Sequence, residues 1–471
     1  MARLALALHV QALEDAVLKA SGSDLASLRI FAGLTLVVFC ACEPPSKGIF
    51  GFCSDAIPDA GADAVVRTAP LTYQRDIKRI VDERCVRCHQ EGGMAPFSLA
   101  SFDDVYRMRA LSRKEVKEGH MPPWLPASCC SPLEQDWSMP AAEKQAFLDW
   151  IDSGAQPGDL TALPPTTPAP ELLGRVDVTV TMPAPYRPTP PRAKTDDTRC
   201  FVVDWPRTQD AFVTGMNVIP GNRRVVHHLL LAVVSGKDGN DLRKREGKDG
   251  QPGYDCPGGA FGAKVTRYIG GGVGGAEYPR GIGTKVTVGS KLVLQVHYST
   301  INDPSGQATD QTSVQLRVDA TAREGKAIVI TNPFWIAGDA MKVKANDANA
   351  VYFYRYRPTV FTQGKRVLIE GGSPHMHAFG SRFLMGIIHA DGTRECILEI
   401  PHWHFGWEQG YWLKTPKLLA PNDEVYVECN FDNSAANQPI IDGVQSKPRD
   451  FAWGGDNQDM CAGFLTFTEA P

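Results

Sequence analysis

The sequence predicts a multidomain protein in which a small α-helical domain precedes two antiparallel β-sandwich domains. The length of 471 residues is a prior for roughly three domains. Helix-type patterns occupy residues 73–86 and 141–154. Beyond about residue 193 the chain changes to short β-prone runs separated by Gly, Asn, Asp and Pro. Regular short strands with such turn residues between them are typical of antiparallel sandwiches, and the remaining length requires two.

Composition excludes some classes of function. With 43% hydrophobic and 22% charged residues, the chain can bury sizeable cores. A formal net charge of −4 provides no basic surface for nucleic acid, so no nucleic-acid partner is expected. The twelve cysteines favour disulfide bonds and therefore an oxidising compartment.

The N-terminal residues 1–42 resemble an export signal. Arg29 precedes an apolar run at residues 30–41, which is shorter than a membrane span and suits the hydrophobic region of a signal peptide. The run ends at Ala41-Cys42, as in a bacterial lipoprotein cleavage site. We therefore expect an exported protein of the bacterial periplasm or cell surface, with a lipid anchor on Cys42 as one means of attachment.

The motif Cys-x-x-Cys-His at Cys85, Cys88 and His89 predicts covalent attachment of one haem c. The two thiols would add to the haem vinyl groups, and His89 would bind the iron. A zinc site would need a second ligand pair nearby, and a thioredoxin-like site would need a βαβ pattern. We expect a cytochrome c-like domain over residues 70–158. Met121 is the preferred sixth ligand of the iron, and the alternatives are Met94, Met108, Met139 and His120.

Residues 159–192 are rich in proline and predict an extended linker. The two sandwiches are expected at residues 193–322 and 323–471. Their predicted strands include residues 211–219, 291–300, 424–431 and 462–468.

Histidines occur in both predicted sandwiches. In the first, His227 and His228 are adjacent, so both can bind one metal only if the strand twists or ends there. His297 lies in an apolar strand, where an unpaired imidazole is costly. In the second, His375 and His377 leave one face of an extended strand, and Met460 could add a thioether. Such a soft set suits cuprous copper better than zinc.

The segments HHLLL, LQVHY, HMHAFG and DNQDMC, in this order, resemble the copper type II monooxygenases, the family of peptidylglycine hydroxylating monooxygenase and dopamine β-hydroxylase. The resemblance covers about residues 175–470. It implies two jelly-roll-like sandwiches that face each other across a solvent-filled cleft, with one copper ion in each. His227, His228 and His297 would hold the electron-transfer copper, with His227 binding through Nδ1. His375, His377 and Met460 would hold the copper at which dioxygen and substrate react.

The implied activity is hydroxylation of a C–H bond in a small organic substrate. Family members draw electrons from ascorbate, but a tethered haem has a high effective concentration and could supply them here, as could a separate redox protein. The family's peptide-carboxylate anchors are replaced by Ser373, Ala462 and Phe464, which argues against peptidylglycine as substrate. The alternative functions are a haem and copper electron-transfer or copper-handling protein, and an oxidase without oxygen insertion.

Several supporting residues follow from this interpretation. A Cys429–Cys461 disulfide would clamp the strand beside Met460, and the family suggests Cys200–Cys256 as well. Tyr298, Gln295 and Asp459 are candidates for support of the metal ligands by position alone. The aromatic segment 402–412 could line a substrate pocket or pack between strands. The remaining histidines of this region are expected to be structural or exposed: His389, His402 and His404.

Overall fold

The structure is a computed structural model. It describes residues 69–471 except 87, 91–94, 96, 135, 163–172, 192–195, 257–264, 273–274, 301–302, 304, 338–339, 442–443 and 455–457. The predicted signal at residues 1–42, with Cys42, lies outside the described residues, and so does Met94.

Six α-helices are found in the described residues: α1 (Lys78–Arg84), α2 (Phe102–Glu118), α3 (Ala141–Asp152), α4 (Gly236–Arg243), α5 (Pro333–Ile336) and α6 (Thr359–Thr362). A π-helical turn, Tyr73–Ile77, leads into α1, and short 3-10 turns span Leu160–Ala162, Pro279–Gly281, Phe405–Trp407 and Ala435–Asn437.

The strands, in chain order, are β1 (Val178–Thr181), β2 (Asp196–Asp204), β3 (Ala211–Ile219), β4 (Val226–Val234), β5 (Tyr254–Asp255), β6 (Val265–Gly272), β7 (Gly275–Glu277), β8 (Ile282–Val286), β9 (Lys291–Ser299), β10 (Ser313–Asp319), β11 (Arg323–Glu324), β12 (Lys326–Ile330), β13 (Lys342–Val343), β14 (Ala350–Tyr356), β15 (Val367–His375), β16 (Gly380–Ile388), β17 (Arg394–Ile400), β18 (Tyr411–Leu419), β19 (Glu424–Phe431), β20 (Ile440–Ile441), β21 (Val444–Gln445), β22 (Phe451–Ala452) and β23 (Ala462–Glu469).

Four larger sheets contain most of these strands. A six-stranded sheet has the order β1-β10-β3-β8-β11, with β7 also paired to β3, and a five-stranded sheet has the order β5-β2-β9-β4-β6. Two four-stranded sheets follow, β12-β23-β15-β18 and β14-β19-β16-β17. Their strands pair antiparallel, apart from a short parallel contact of β11 with β8. The predicted strands at residues 211–219, 291–300, 424–431 and 462–468 are therefore present.

Separate apolar clusters hold these elements together. Val213 and Leu316 of the six-stranded sheet share a cluster with Leu294 of the five-stranded sheet. In the second half of the chain, Ile369 and Met385 belong to another cluster, to which both four-stranded sheets contribute. Burial of apolar side chains at about 25 cal/mol per Å² is the main contribution to the stability of such layers.

The three N-terminal helices form where the local sequence favours them. Helix α2 begins after Ser101, whose side chain accepts a hydrogen bond from the N–H of Asp104, and it ends at Gly119, which has a φ of 80°. A capping serine and a left-handed glycine are common helix boundaries. Trp150 of α3 is fully buried in the apolar cluster that α1, α2 and α3 share.

The predicted fold class, a small α-helical cytochrome c domain followed by two antiparallel β-sandwich copper domains, is wrong. Of the described residues, 37% are strand and 20% are helix, the sheets have a four-bladed, propeller-like arrangement, and no separate helical domain is evident in this part of the chain. The residues after α2 are instead attached to the second half of the chain. Three long-range links make this attachment: the N–H of Ala127 donates to the carbonyl of Glu399 at 2.8 Å, Cys130 forms a disulfide with Cys396, and Leu133 forms a β-bridge with Leu413.

The proline-rich segment 159–192 also contains regular structure. Residues 178–181 form β1 of the six-stranded sheet, and Met182 and Tyr186 are buried in the same apolar cluster as that sheet. This part of the predicted linker therefore belongs to the packed fold.

Candidate metal centres

His227, His228 and His297 lie together and are called here the three-histidine cluster. Strands β4 and β9 are neighbours, and His228 is directly opposite His297. The register shifts between Val226 and His228, so His227 is an extra residue in a β-bulge. A bulge redirects a side chain that would otherwise point to the opposite face of the sheet. This bulge explains how two adjacent histidines reach one site.

The geometry of the three-histidine cluster fits one metal ion. One possible ligand atom from each histidine lies within 4.8 Å of the others. The Nδ1 atoms of His227 and His228 are 3.2 Å apart. Two nitrogens bound to one ion at distances near 2.0–2.1 Å, with a tetrahedral angle between them, would be about 3.3 Å apart. The residues present therefore suit a divalent or monovalent transition-metal ion.

Burial lowers the pKa values of two imidazoles of this cluster. Burial, with a smaller contribution from His297, lowers the pKa of His227 to about 4. Burial likewise holds the pKa of His228 well below its ordinary value. A neutral imidazole is the form that binds metals. His297 has a carboxylate neighbour, because its Nε2 lies 3.0 Å from Oδ1 of Asp196.

His375 and His377 lie at the end of β15 and are called, with Met460, the His-Met site. Their rings are nearly perpendicular, with centroids 5.2 Å apart. His375 pairs with Ala462 of β23, so the chain just before β23, which carries Met460, runs beside this end of β15. Met460 is half-buried.

Asp459 ties the backbone of this site together. Its Oδ1 accepts from the N–H of His377 at 2.6 Å and of Met460 at 2.7 Å, and its Oδ2 accepts from the N–H of Phe379 at 2.9 Å. The residue is fully buried, and burial raises the pKa of Asp459 to about 7 against the effect of its three donors. By fixing His377 and Met460 at once, this side chain has the supporting position that the sequence suggested for it.

Glu408 contacts the other imidazole of the His-Met site and was not predicted. Its Oε1 lies 2.7 Å from Nδ1 of His375. Burial lowers the pKa of His375, but the charge and hydrogen bond of Glu408 outweigh it and the net shift is upward. Burial and His375 lower the pKa of His377 to about 4, and Nδ1 of His377 lies 3.2 Å from the carbonyl of Gln458. Both rings thus have a partner on Nδ1, which leaves Nε2 for an ion.

The other two suggested supporting residues take part in different contacts. The hydroxyl of Tyr298 donates to Asp310 at 3.0 Å, and the side-chain amide of Gln295 donates to the carbonyl of Cys256 at 3.2 Å. His389 lies 3.0 Å from a carboxylate oxygen of Asp423, as a structural histidine would.

The Cys-x-x-Cys-His segment follows α1. The N–H groups of Cys88 and His89 donate to the carbonyl of Cys85 at 3.1 and 2.9 Å, so the motif forms a compact turn. Nδ1 of His89 lies 3.2 Å from the carbonyl of Phe97, an arrangement that leaves Nε2 for an iron ion. Met121 packs at the edge of the same apolar cluster as Cys85, and so do Met108 and Met139. His120 is instead paired with Glu115 on the surface.

Three disulfides have both cysteines among the described residues. Cys200–Cys256 and Cys429–Cys461 confirm the two predicted pairings. Cys130–Cys396 was not predicted, and Cys129 is disulfide-bonded too. In the described part of the chain, no helix has the length and apolar character that crossing a bilayer requires.

Comparison with known proteins adds little. No protein-family model and no curated protein matches the chain. A structure of the infectious bursal disease virus Gx strain has a TM-score of 0.16 and 8% identity, covering 64% of this chain and 75% of that one. A likeness this weak carries no argument about fold or activity.

Proposed function

We propose that this protein is a copper-dependent monooxygenase of the copper type II family that hydroxylates a C–H bond of a small organic substrate with dioxygen. The observation that supports the proposal most is the pair of histidine sites, one on β4 and β9 and one at the end of β15. Copper bound at these sites would supply one-electron chemistry and the activation of dioxygen. The proposal assigns one ion to each site.

The protein's own residues would have distinct roles. His227, His228 and His297 offer three imidazole ligands, two of which have pKa values lowered by burial. The His-Met site offers two imidazoles and a thioether, and such a ligand set favours cuprous copper. Glu408 and the carbonyl of Gln458 orient the two rings of this site through Nδ1.

Electrons would reach the sites through a haem c attached at Cys85 and Cys88. Trp124, which follows α2, packs edge-on against Tyr411 with ring centroids 5.5 Å apart. This contact supports the assignment, because it attaches the helices near the haem motif to the part of the chain that contains Glu408 of the His-Met site. We also propose that the protein is exported, which the three disulfides support. Ascorbate or a redox protein would reduce it.

Metal and haem content of the purified full-length protein tests this proposal. We expect two copper ions and one haem per chain. His297→Ala and His377→Ala should each remove one copper ion, whereas His402→Ala, at an exposed histidine, should remove none. A wild-type chain that binds fewer than two copper ions would contradict the proposal.

Oxygen incorporation separates a monooxygenase from the alternative functions. Reduced protein is incubated under ¹⁸O₂ with a panel of small aromatic and aliphatic compounds. A monooxygenase places one ¹⁸O atom in the product. An electron-transfer or copper-handling protein gives no labelled product, and an oxidase gives a dehydrogenated product without the label.

A further inference from the structure

One short segment contacts both metal centres. Residues 403–408, called here the bridging segment, lie between β17 and β18. At one end, the indole N–H of Trp403 donates to the carbonyl of His377 at 2.9 Å. At the other end, Glu408 contacts His375. The segment is thus bonded at both ends to the His-Met site.

The middle of the bridging segment reaches the three-histidine cluster. The ring centroid of Phe405 is 5.8 Å from that of His377 and 6.1 Å from that of His297. Trp407 extends the contact, with its ring 6.2 Å from that of His227. Aromatic pairs interact favourably at centroid distances of about 4.5–7 Å. One phenyl ring therefore contacts an imidazole from each centre.

Local hydrogen bonds limit the freedom of Phe405. The N–H of Trp403 donates to the carbonyl of Ser381 at 2.8 Å, and the N–H of Trp407 donates to the carbonyl of His404 at 2.9 Å. The side chain of His404 accepts from the N–H of Gly406 at 3.1 Å and caps the 3-10 turn Phe405–Trp407. The phenyl ring therefore sits on a backbone that is fixed on both sides.

We infer that Phe405 is a positioning residue that sets the separation and relative orientation of the two metal centres. The role of the metals rests on the proposed function, whereas the ring contacts do not. His297 lies on β9 of the five-stranded sheet, whereas His377 follows the end of β15 of a four-stranded sheet, and one rigid ring packed against both imidazoles couples their positions. A cleft filled with solvent alone would leave these positions independent. Removal of the ring should therefore loosen both imidazoles together.

Nuclear magnetic resonance of the metal-free full chain tests the contact without copper. With ¹³C-labelled histidine, Phe405→Ala should shift the ring resonances of both His297 and His377, because the ring current of the phenyl group is lost. Phe405→Leu should shift both as well and keep more of the packing volume. Phe334→Ala removes a phenyl group that is 73% exposed and should shift neither. A change in one of the two histidines alone, or in neither, would overturn the inference.

Electron paramagnetic resonance of the copper-loaded protein tests the consequence. In the wild type, the distribution of dipolar couplings between the two cupric ions should be narrow. Phe405→Ala should keep two copper ions and broaden this distribution, and Phe405→Leu should give an intermediate width. Unchanged coupling in Phe405→Ala would overturn the inference while leaving the proposed function intact. Fewer than two copper ions in the wild type would instead defeat the proposed function, and the resonance shifts would still decide the role of Phe405.

Discussion

The two candidate metal centres are built in different ways. In the three-histidine cluster, strand pairing brings the ligands together, because His228 is opposite His297 in the β4–β9 pair and a bulge adds His227. The His-Met site instead depends on carboxylates. Asp459 holds the backbone of His377 and Met460, and Glu408 holds the ring of His375. In a strand pair, many backbone hydrogen bonds together hold the ligands in place, whereas in the His-Met site a single buried carboxylate makes several of the bonds that do so. Substitution of one residue outside the ligands should therefore damage the His-Met site more.

The largest effect is expected from Asp459→Ala. Three backbone N–H groups would lose their acceptor, and each buried unpaired donor costs about 1–3 kcal/mol. We expect the free energy of unfolding to fall by about 3 kcal/mol or more, and copper to be lost from the His-Met site while the three-histidine cluster keeps its ion. Urea unfolding and metal analysis measure the two effects. Asp391→Ala, in an exposed turn, is the control, and equal copper loss from both centres would contradict the comparison.

Glu408→Gln should have the next largest effect. The substitution keeps the length of the side chain and removes the charge that lies 2.7 Å from His375. Loss of a partner of a ligating histidine typically costs 10–100-fold in metal affinity, and we expect a loss of this size at the His-Met site. Competition with a copper chelator measures it. Glu395→Gln changes a carboxylate beside His389, away from both centres, and should leave both affinities unchanged.

Asp196→Asn makes the corresponding change at the three-histidine cluster. Asp196 lies 3.0 Å from His297, but its side chain is 54% exposed, compared with 20% for Glu408. Water can replace an exposed carboxylate more easily than a half-buried one, so we expect a loss of less than about tenfold in copper affinity. The same chelator competition applies. A loss equal to that of Glu408→Gln would show that both centres depend equally on their carboxylates.

The sequence indicated which histidines could lie together better than it indicated the fold that holds them. Histidine spacing indicated which side chains could meet, because side-chain direction alternates along a strand. The bulge at His227 has no comparable signal in the residues around it. Glu408 is separated from His375 by more than thirty positions and by two strands, so no local pattern connects them. The resemblance implied Cys200–Cys256, whereas Cys130–Cys396 spans 266 positions with no motif to indicate it.

The error in the predicted fold class has the same origin. Helical periodicity at residues 73–86 and 141–154 is a local property, and helices are present at both places. Whether such helices form a domain of their own depends on contacts between distant parts of the chain. The disulfide of Cys130 and the β-bridge of Leu133 are contacts of that kind. Local patterns therefore predicted these helices correctly, but they could not show that the helices do not form a domain of their own.

The smallest effect is expected from Gly406→Ala, which tests how closely the bridging segment approaches the three-histidine cluster. An added Cβ would lie 3.0 Å from Cε1 of His404 and 3.4 Å from Nε2 of His227. Neither distance forbids the methyl group, because only the His404 ring would have to move by a few tenths of an ångström and the contact with His227 is ordinary van der Waals contact. Because His227 is a proposed ligand that the methyl group would touch without displacing, we expect copper affinity at the three-histidine cluster to fall only slightly while the His-Met site is unaffected. Gly392→Ala has open space around the added methyl group and serves as the control for copper affinity, although its φ of 86° adds backbone strain of its own. Chelator competition at each centre separates the outcomes. Loss of copper from the His-Met site instead would contradict this expectation. It would mean that Gly406 is needed for the contacts of the bridging segment with His375 and His377, and that the three-histidine cluster depends less on this segment than the His-Met site does.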